Sequence, residues 1–287
     1  MGLFDRFKKK EKALKLEELE ERLENVPEML NAKLLFSEKP VIDPQLVLAK
    51  LREYYPSVEH PQDGKSLLFF FPEIGVQFTD GAVAAQCAIF LPDDKNKNVE
   101  IKEEAYQQNW HWQEAEAIAR SCRYEVLLTD FMTRTLDYKV RFKLFMNFVA
   151  AVTKATQPQV IYAVTAQKLL EPKTLVEAWD NREKEDLSSL VNVRLYNISN
   201  GKAGETVMDT VGLHQFGLPD FQIRFTDYNP SEIGGLLWNY AYYLFESGDV
   251  IESRNTLAGV GSGSKWICDR QISLVGPERV VFDVQPV

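Results

Sequence analysis

Apolar residues along the chain shift between helical and strand spacing. Leu16, Leu19, Leu23, Val26 and Leu30 recur at spacings of 3, 4, 3 and 4, a heptad-like seam on one side of a helix. Residues 32–37 are then an apolar run of strand length. Asp43-Pro44 opens a helix, with a capping carboxylate followed by proline at the first helical position, and it continues to about Tyr55. Residues 66–71 and 76–91 read as strands, the second broken by a turn at Thr79-Asp80-Gly81. Residues 104–121 predict a helix with Trp112, Ala115, Ile118 and Ala119 on one face, and residues 124–129 a short strand. The order βαββαβ is that of a ferredoxin-like α+β module.

Residues 137–156 follow as a long helix whose stripe of Tyr138, Phe142, Phe145, Val149 and Val152 is widened by Leu144, Phe148 and Ala151. A helix that apolar is expected between two layers. A strand at 160–165, a helix at 172–184 and a strand at 190–198 come next, and a hairpin turn at Asn200-Gly201 leads to a strand near 206–211. A short helical turn ends at Gly217, Pro219 blocks its continuation, and residues 220–226 alternate with a strand's period of two. Asn229-Pro230-Ser231 caps a further helix, and strands near 266–273 and 280–284 close the chain. The second half repeats the first loosely in element order, with no repeat at the level of residues. The expected organisation is a helical extension over 1–30, a first α+β module over 31–135 and a second, loosely similar α/β module over 136–287.

The net charge of −9 argues against a general nucleic-acid binder, which needs Lys and Arg to neutralise phosphate. Residues 1–12 hold five basic and two acidic side chains, or +3, so the remainder carries −12. Glu17/Glu21 and Glu20/Glu24 are like-charge pairs one turn apart, so the N-terminal helix needs a surface to lean on, which the parent domain supplies. Cys87, Cys122 and Cys268 are widely separated and form no C-x-x-C pair, which fits buried thiols in a reducing compartment. The basic start runs into Glu-rich sequence without the apolar core of a secretory signal, and no apolar run reaches the length of a membrane span. Leu3, Phe4 and Phe7 beside Lys8–Lys10 make one short amphipathic turn, enough for marginal membrane binding only. A cytoplasmic protein without stable membrane insertion is expected.

Three places resemble the bacterial family known as domain of unknown function 4261. They are His111-Trp112-Gln113-Glu114-Ala115-Glu116 before a strand, the Phe216-Gly217-Leu218-Pro219 turn, and Gly248-Asp249-Val250-Ile251 together with Gly276-Pro277-Glu278-Arg279-Val280-Val281. The likeness is good over residues 104–287 and weak before them. Glu252 stands where the family usually has glycine. The resemblance implies an α+β bacterial cytoplasmic protein and transfers no catalytic residue.

Candidate chemistry is sparse. His111 and Glu114, three apart on the predicted helix, have the spacing to share a metal or act as an acid–base pair, though a metal wants a third ligand. Asp130 follows a predicted strand at the end where open sheets place ligand groups, and Thr133, Thr135 and Asp137 after it also suit turns and helix caps. Cys122-Arg123 has the cation that activates a thiol but no base in register, so a buried cysteine is expected. In Gly259-Val260-Gly261-Ser262-Gly263-Ser264-Lys265-Trp266, Ser264 and Trp266 occupy the places where a phosphate loop needs glycine and a hydroxyl. A surface loop is the simpler reading.

In the helix at 233–245, Ile233, Leu236, Leu237, Tyr240 and Leu244 form one stripe, while Trp238, Tyr242 and Phe245 fall on the opposite side. The second stripe is either buried between layers or faces a partner. The expected function is therefore a non-catalytic protein-binding module, using Trp238, Tyr242 and Phe245 and an acidic surface. One form of it is an immunity- or antitoxin-like protein that caps a basic effector. The alternative is an enzyme of unknown reaction with a pocket near His111, Glu114 and Asp130. No catalytic residue, metal or cofactor is assigned.

Overall fold

The computed structural model describes residues 3–61, 67–79, 81–91, 99–199 and 201–286, with side chains from residue 11 onward. The hydrophobic side chains expected at the extreme N-terminus, Leu3, Phe4 and Phe7, and the turn residues Asp80 and Asn200 therefore lie outside what is described. The fold is α+β. Two units divide the chain, Pro27–Leu190 on one side and Met1–Val26 with Val191–Val287 on the other. Helix α1 (Leu3–Glu24) comes first in sequence and belongs to the second of these.

In Pro27–Leu190, β1 (Asn31–Phe36) leads to α2 (Pro44–Leu51), whose N-cap Asp43 accepts from the Gln45 amide. The hairpin β2 (Leu68–Phe78) and β3 (Gly81–Phe90) follows, then α3 (Glu103–Gln107), α4 (Ala115–Ser121) and β4 (Tyr124–Phe131). Next come α5 (Tyr138–Thr156), β5 (Val160–Ala163), β6 (Lys168–Leu170) and α6 (Pro172–Asp180). The sheet runs β2-β3-β4-β1-β5-β6, with every neighbouring pair antiparallel.

This order corrects the ferredoxin-like expectation. That arrangement sets β1 and β2 parallel with one strand between them. Here β3 and β4 both lie between them, so β1 and β2 run in opposite directions. The expected boundary at 135/136 also moves, to 190/191, because Leu34 and Leu35 of β1 pair with Ile161 and Val160 of β5 and draw α5 and β5 into the first unit. The interruption after Phe71 is a bulge within one strand, between Phe71 and Gly75.

Helix α5 begins where Asp137 accepts from the Lys139 and Val140 amides. Its apolar circumference is buried on two sides, as its pattern required. Phe148 packs toward Phe69 of the sheet, with ring centroids 6.0 Å apart, and Phe142 meets Trp179 of α6 edge-on at 5.7 Å. On the other sheet face, Ala115 and Ala119 of α4 cluster with Leu35, Val160, Tyr162 and Leu169.

In the second unit, β7 (Asn192–Asn197), β8 (Thr206–Val211) and β9 (Asp220–Phe225) precede α7 (Pro230–Ser247). The hairpin β10 (Thr256–Ala258) and β11 (Lys265–Ile272) and the last strand β12 (Val280–Gln285) complete it. The sheet order is β10-β11-β12-β9-β8-β7, with β12 and β9 parallel, a pairing absent from the first sheet among the described residues. Tyr240 of α7 packs on Phe221 of β9, and Phe221 on Phe282 of β12. Leu19 and Leu23 of α1 bury themselves against Val280. The helical extension thus leans on its own unit and ends at Glu24, whereas Leu30 belongs to the first unit, its amide donating to Asp130. No helix among the described residues is long and apolar enough to cross a membrane.

Candidate functional site

The residues proposed for a catalytic pocket do not converge. The helix predicted over 104–121 is interrupted, since Asn109 donates its side-chain amide to the Trp112 carbonyl and α3 and α4 are separate. His111 therefore sits in a turn, and Glu114 stands at the exposed N-cap of α4 without a side-chain cap bond. His111 Nε2 donates to the Leu169 carbonyl at 3.0 Å, on the α4 side of the sheet. Partial burial, and after it the Lys168 ammonium, lower its pKa.

Asp130 faces the opposite side of that sheet, toward α5. Arg141 grips it through Nε at 2.7 Å and Nη2 at 3.2 Å, Thr133 donates its hydroxyl at 2.5 Å, and the Leu30 amide donates at 2.6 Å. Arg141 also donates to the Pro27 and Glu28 carbonyls. Asp130 and Arg141 form a buried clamp that pins the start of β1. Among the described residues, no three His, Cys, Asp or Glu side chains assemble as a metal site requires. The three cysteines are free and buried, and burial raises the Cys122 pKa. The glycine-rich stretch at 259–265 is the β10–β11 hairpin turn, closed by the Gly259 amide on the Ser264 carbonyl.

Helix α7 divides the three aromatic residues assigned to a binding face. Phe245 is only 1% exposed and meets Phe216 edge-on, so it belongs to the core. Its angular position borders the buried stripe of Leu237, Tyr240, Ala241 and Leu244, and that stripe is wide enough to include it. Trp238 is half-buried and lies beside Tyr242, with ring centroids 6.1 Å apart. Tyr242 is 37% and Tyr243 51% exposed, and the charged side chains of α7, Glu232 and Glu246, are exposed carboxylates. The outward surface of this helix is thus aromatic and acidic.

The densest polar constellation was not legible as one from sequence. Asp220, at the start of β9, is buried and accepts from the Thr210 hydroxyl, the Gly212 and Leu213 amides, His214 Nδ1 at 2.7 Å and Arg279 Nε at 3.0 Å. Arg279 also donates to Asp209 at 2.8 Å and to the carbonyls of Thr210, Val275 and Pro277. Asp209 in turn takes two bonds from buried Arg194, at 2.9 and 2.5 Å. Burial would raise the Asp220 pKa, but the Arg279 charge and then the His214 contact outweigh it and hold it down at about 2. The stretch 213–221 is a fold marker because this carboxylate anchors the helical turn that precedes it. Its best signal in the sequence was His214 six residues before Asp220, since Arg279 lies too far along the chain to suggest itself.

Residues 209–285 match the family described as Domain of unknown function (DUF4261). The match begins in β8, ends in β12 and contains Asp209, Asp220, Arg279 and α7, as well as the Phe216–Pro219, Gly248–Ile251 and Gly276–Val281 stretches. The His111–Glu116 stretch lies outside it. No curated protein matches the chain.

Proposed function

We propose that the protein acts by binding another protein through the outward surface of α7, without catalysis of its own. The observation that carries this reading is the exposed Tyr242 beside half-buried Trp238, with exposed Tyr243 further round the same helix, whose charged residues are both acidic. Tyr and Trp bury large rigid surface at low entropic cost and are enriched where interface energy concentrates. Aromatic faces flanked by carboxylates suit Arg and Lys, which stack on the rings while their charge is met. The partner is therefore a basic protein, and the net charge of −9 speeds that encounter at low salt. An immunity- or antitoxin-like protein capping a basic effector is one form this takes.

The test is capture from the native host by the full chain, with a photo-crosslinking residue at position 243. A discrete basic protein should crosslink there, and Trp238→Ala combined with Tyr243→Ala should weaken its binding by about 2 kcal/mol or more, roughly thirty-fold. His111→Ala serves as the control and should bind normally. Equal recovery of every partner by the aromatic double variant, with its fold intact, would refute the reading.

A further inference from the structure

Gly234-Gly235 lies inside α7, where glycine weakens a helix relative to alanine and needs a reason. For Gly234 the fold supplies one, since a Cβ there would lie against Met208 Cε of β8 at 3.4 Å. For Gly235 it supplies none. The residue is exposed, its backbone is ordinary helix, and a Cβ on it would meet nothing within 4 Å. A cost that internal packing does not explain points outward.

At about 100° per residue, Gly235 falls on the line of Asn239, Tyr242 and Glu246, the middle of the outward surface of α7. Glu232 stands one turn before it and Trp238 one turn after. Residues three apart on a helix have Cβ atoms about 5–6 Å from each other. The missing side chain therefore leaves bare backbone between a carboxylate and an indole. The indole is backed by Tyr242, with ring centroids 6.1 Å apart. The Glu232 carboxylate is exposed, and among the described residues no cation or hydrogen-bond donor answers it.

We infer that this gap takes an arginine side chain of the basic partner, and that Gly235 is the residue that admits it. The arginine stem lies along the bare backbone, its guanidinium plane stacks on Trp238 and its edge donates to Glu232. Lysine, a compact charge without a plane, meets only the last of these demands. The inference rests on the α7 reading above and adds to it one residue and one ligand chemistry.

Alanine-based peptides that differ only in carrying arginine, lysine or glutamate serve as probes of the full-length protein at low salt. The arginine peptide should shift the Gly235 amide and Trp238 indole NMR signals saturably. The lysine peptide should bind about five-fold more weakly, and the glutamate peptide should leave both signals in place. Gly235→Ala should raise the melting temperature by about 2 °C, yet weaken the arginine peptide about five-fold. Glu232→Gln should weaken that peptide about three-fold. A lower melting temperature in Gly235→Ala would return the glycine to the fold and overturn the inference. So would unchanged binding by that variant, equal binding of the lysine peptide, or no saturable shift. Loss of the arginine peptide by Trp238→Ala with Tyr243→Ala, but not by Gly235→Ala, removes the gap alone and leaves the α7 surface standing, while the crosslink at position 243 tests that surface separately.

Discussion

Arg279 Nε meets Asp220 Oδ2 at 3.0 Å although 59 positions separate the two residues in sequence. The guanidinium has five N–H groups, and each finds an acceptor: Asp220, Asp209 and the carbonyls of Thr210, Val275 and Pro277. Two buried carboxylates and one loop therefore depend on a single side chain. The pairing ties the segment before β12 to β9, its parallel neighbour.

Removing Arg279 strands Asp220 and part of Asp209 in the interior. Arg279→Met is expected to destabilise the protein by about 3–5 kcal/mol, the usual consequence of leaving a buried charge without its partner. Combining it with Asp220→Asn should cost less than the sum of the two, since they share one interaction. Urea denaturation of the two single variants and the double measures both quantities, and strict additivity would show that the pair is energetically idle.

Asp220 also makes stability depend on acidity. Its pKa of about 2 lies below the ordinary 3.8, so it contributes stability that is fully present above pH 4 and is lost as pH falls toward 2. The amount is on the order of 2 kcal/mol. Denaturation of wild type and Asp220→Asn at neutral pH and again near pH 2 should show the gap between them narrowing on acidification. A gap independent of pH would mean that the folded carboxyl titrates normally.

Neighbouring aromatics on α7 should respond in opposite ways. Phe245→Ala empties a core position against Phe216 and is expected to cost about 3–5 kcal/mol. Tyr243→Ser, on the exposed side, should stay within about 0.5 kcal/mol of wild type. Thermal and urea unfolding of the two variants separates the structural residue from the surface one, and a large loss in Tyr243→Ser would remove it from the proposed docking face.

Gly217 closes the helical turn before β9 with φ +75, and a Cβ there would lie 2.9 Å from Val26 Cγ1 and 3.3 Å from the Leu23 carbonyl. Gly217→Ala should therefore destabilise by more than about 1 kcal/mol. Val26→Ala should rescue it only partly, because the backbone conformation and the carbonyl remain. Full rescue in a stability assay would place the whole cost in the Val26 contact.

Within the first unit, Asp130→Ala is expected to cost about 3–5 kcal/mol by leaving Arg141 buried and unpaired. Glu114→Gln should change stability by less than about 0.5 kcal/mol, as exposed positions usually do. Parallel unfolding curves check the contrast. Similar costs for both would contradict the burial of Asp130 against Arg141 and the exposure of Glu114.

Several elements were legible because a local rule was sufficient. Asp43-Pro44 and Asn229-Pro230 cap helices where expected, and each carboxylate or amide oxygen accepts from the amide two residues on. Helix α5 was apolar around its circumference and is buried on both sides. Local rules failed where distant chain decides. The alternation Asp220-Phe221-Gln222-Ile223-Arg224 suggests a polar face turned to water, yet Asp220 and Gln222 are buried and only Arg224 is exposed. The first two find their partners in Arg279 and Asp283, which no nearby residue announces. Phe245 and Tyr242 lay on one predicted stripe, and only packing against Phe216 separates them.

By itself the sequence determined the α+β class, most element positions, the burial of the cysteines and the turn at Gly217, because hydrophobic period, caps and backbone preference act over a few residues. Tertiary structure alone decided the strand order, the boundary at Leu190 and the buried Arg–Asp hub. It also set His111 and Asp130 on opposite sides of one sheet. Strand pairing and charge burial depend on groups brought together from far along the chain, and the energy of those meetings has no local signature.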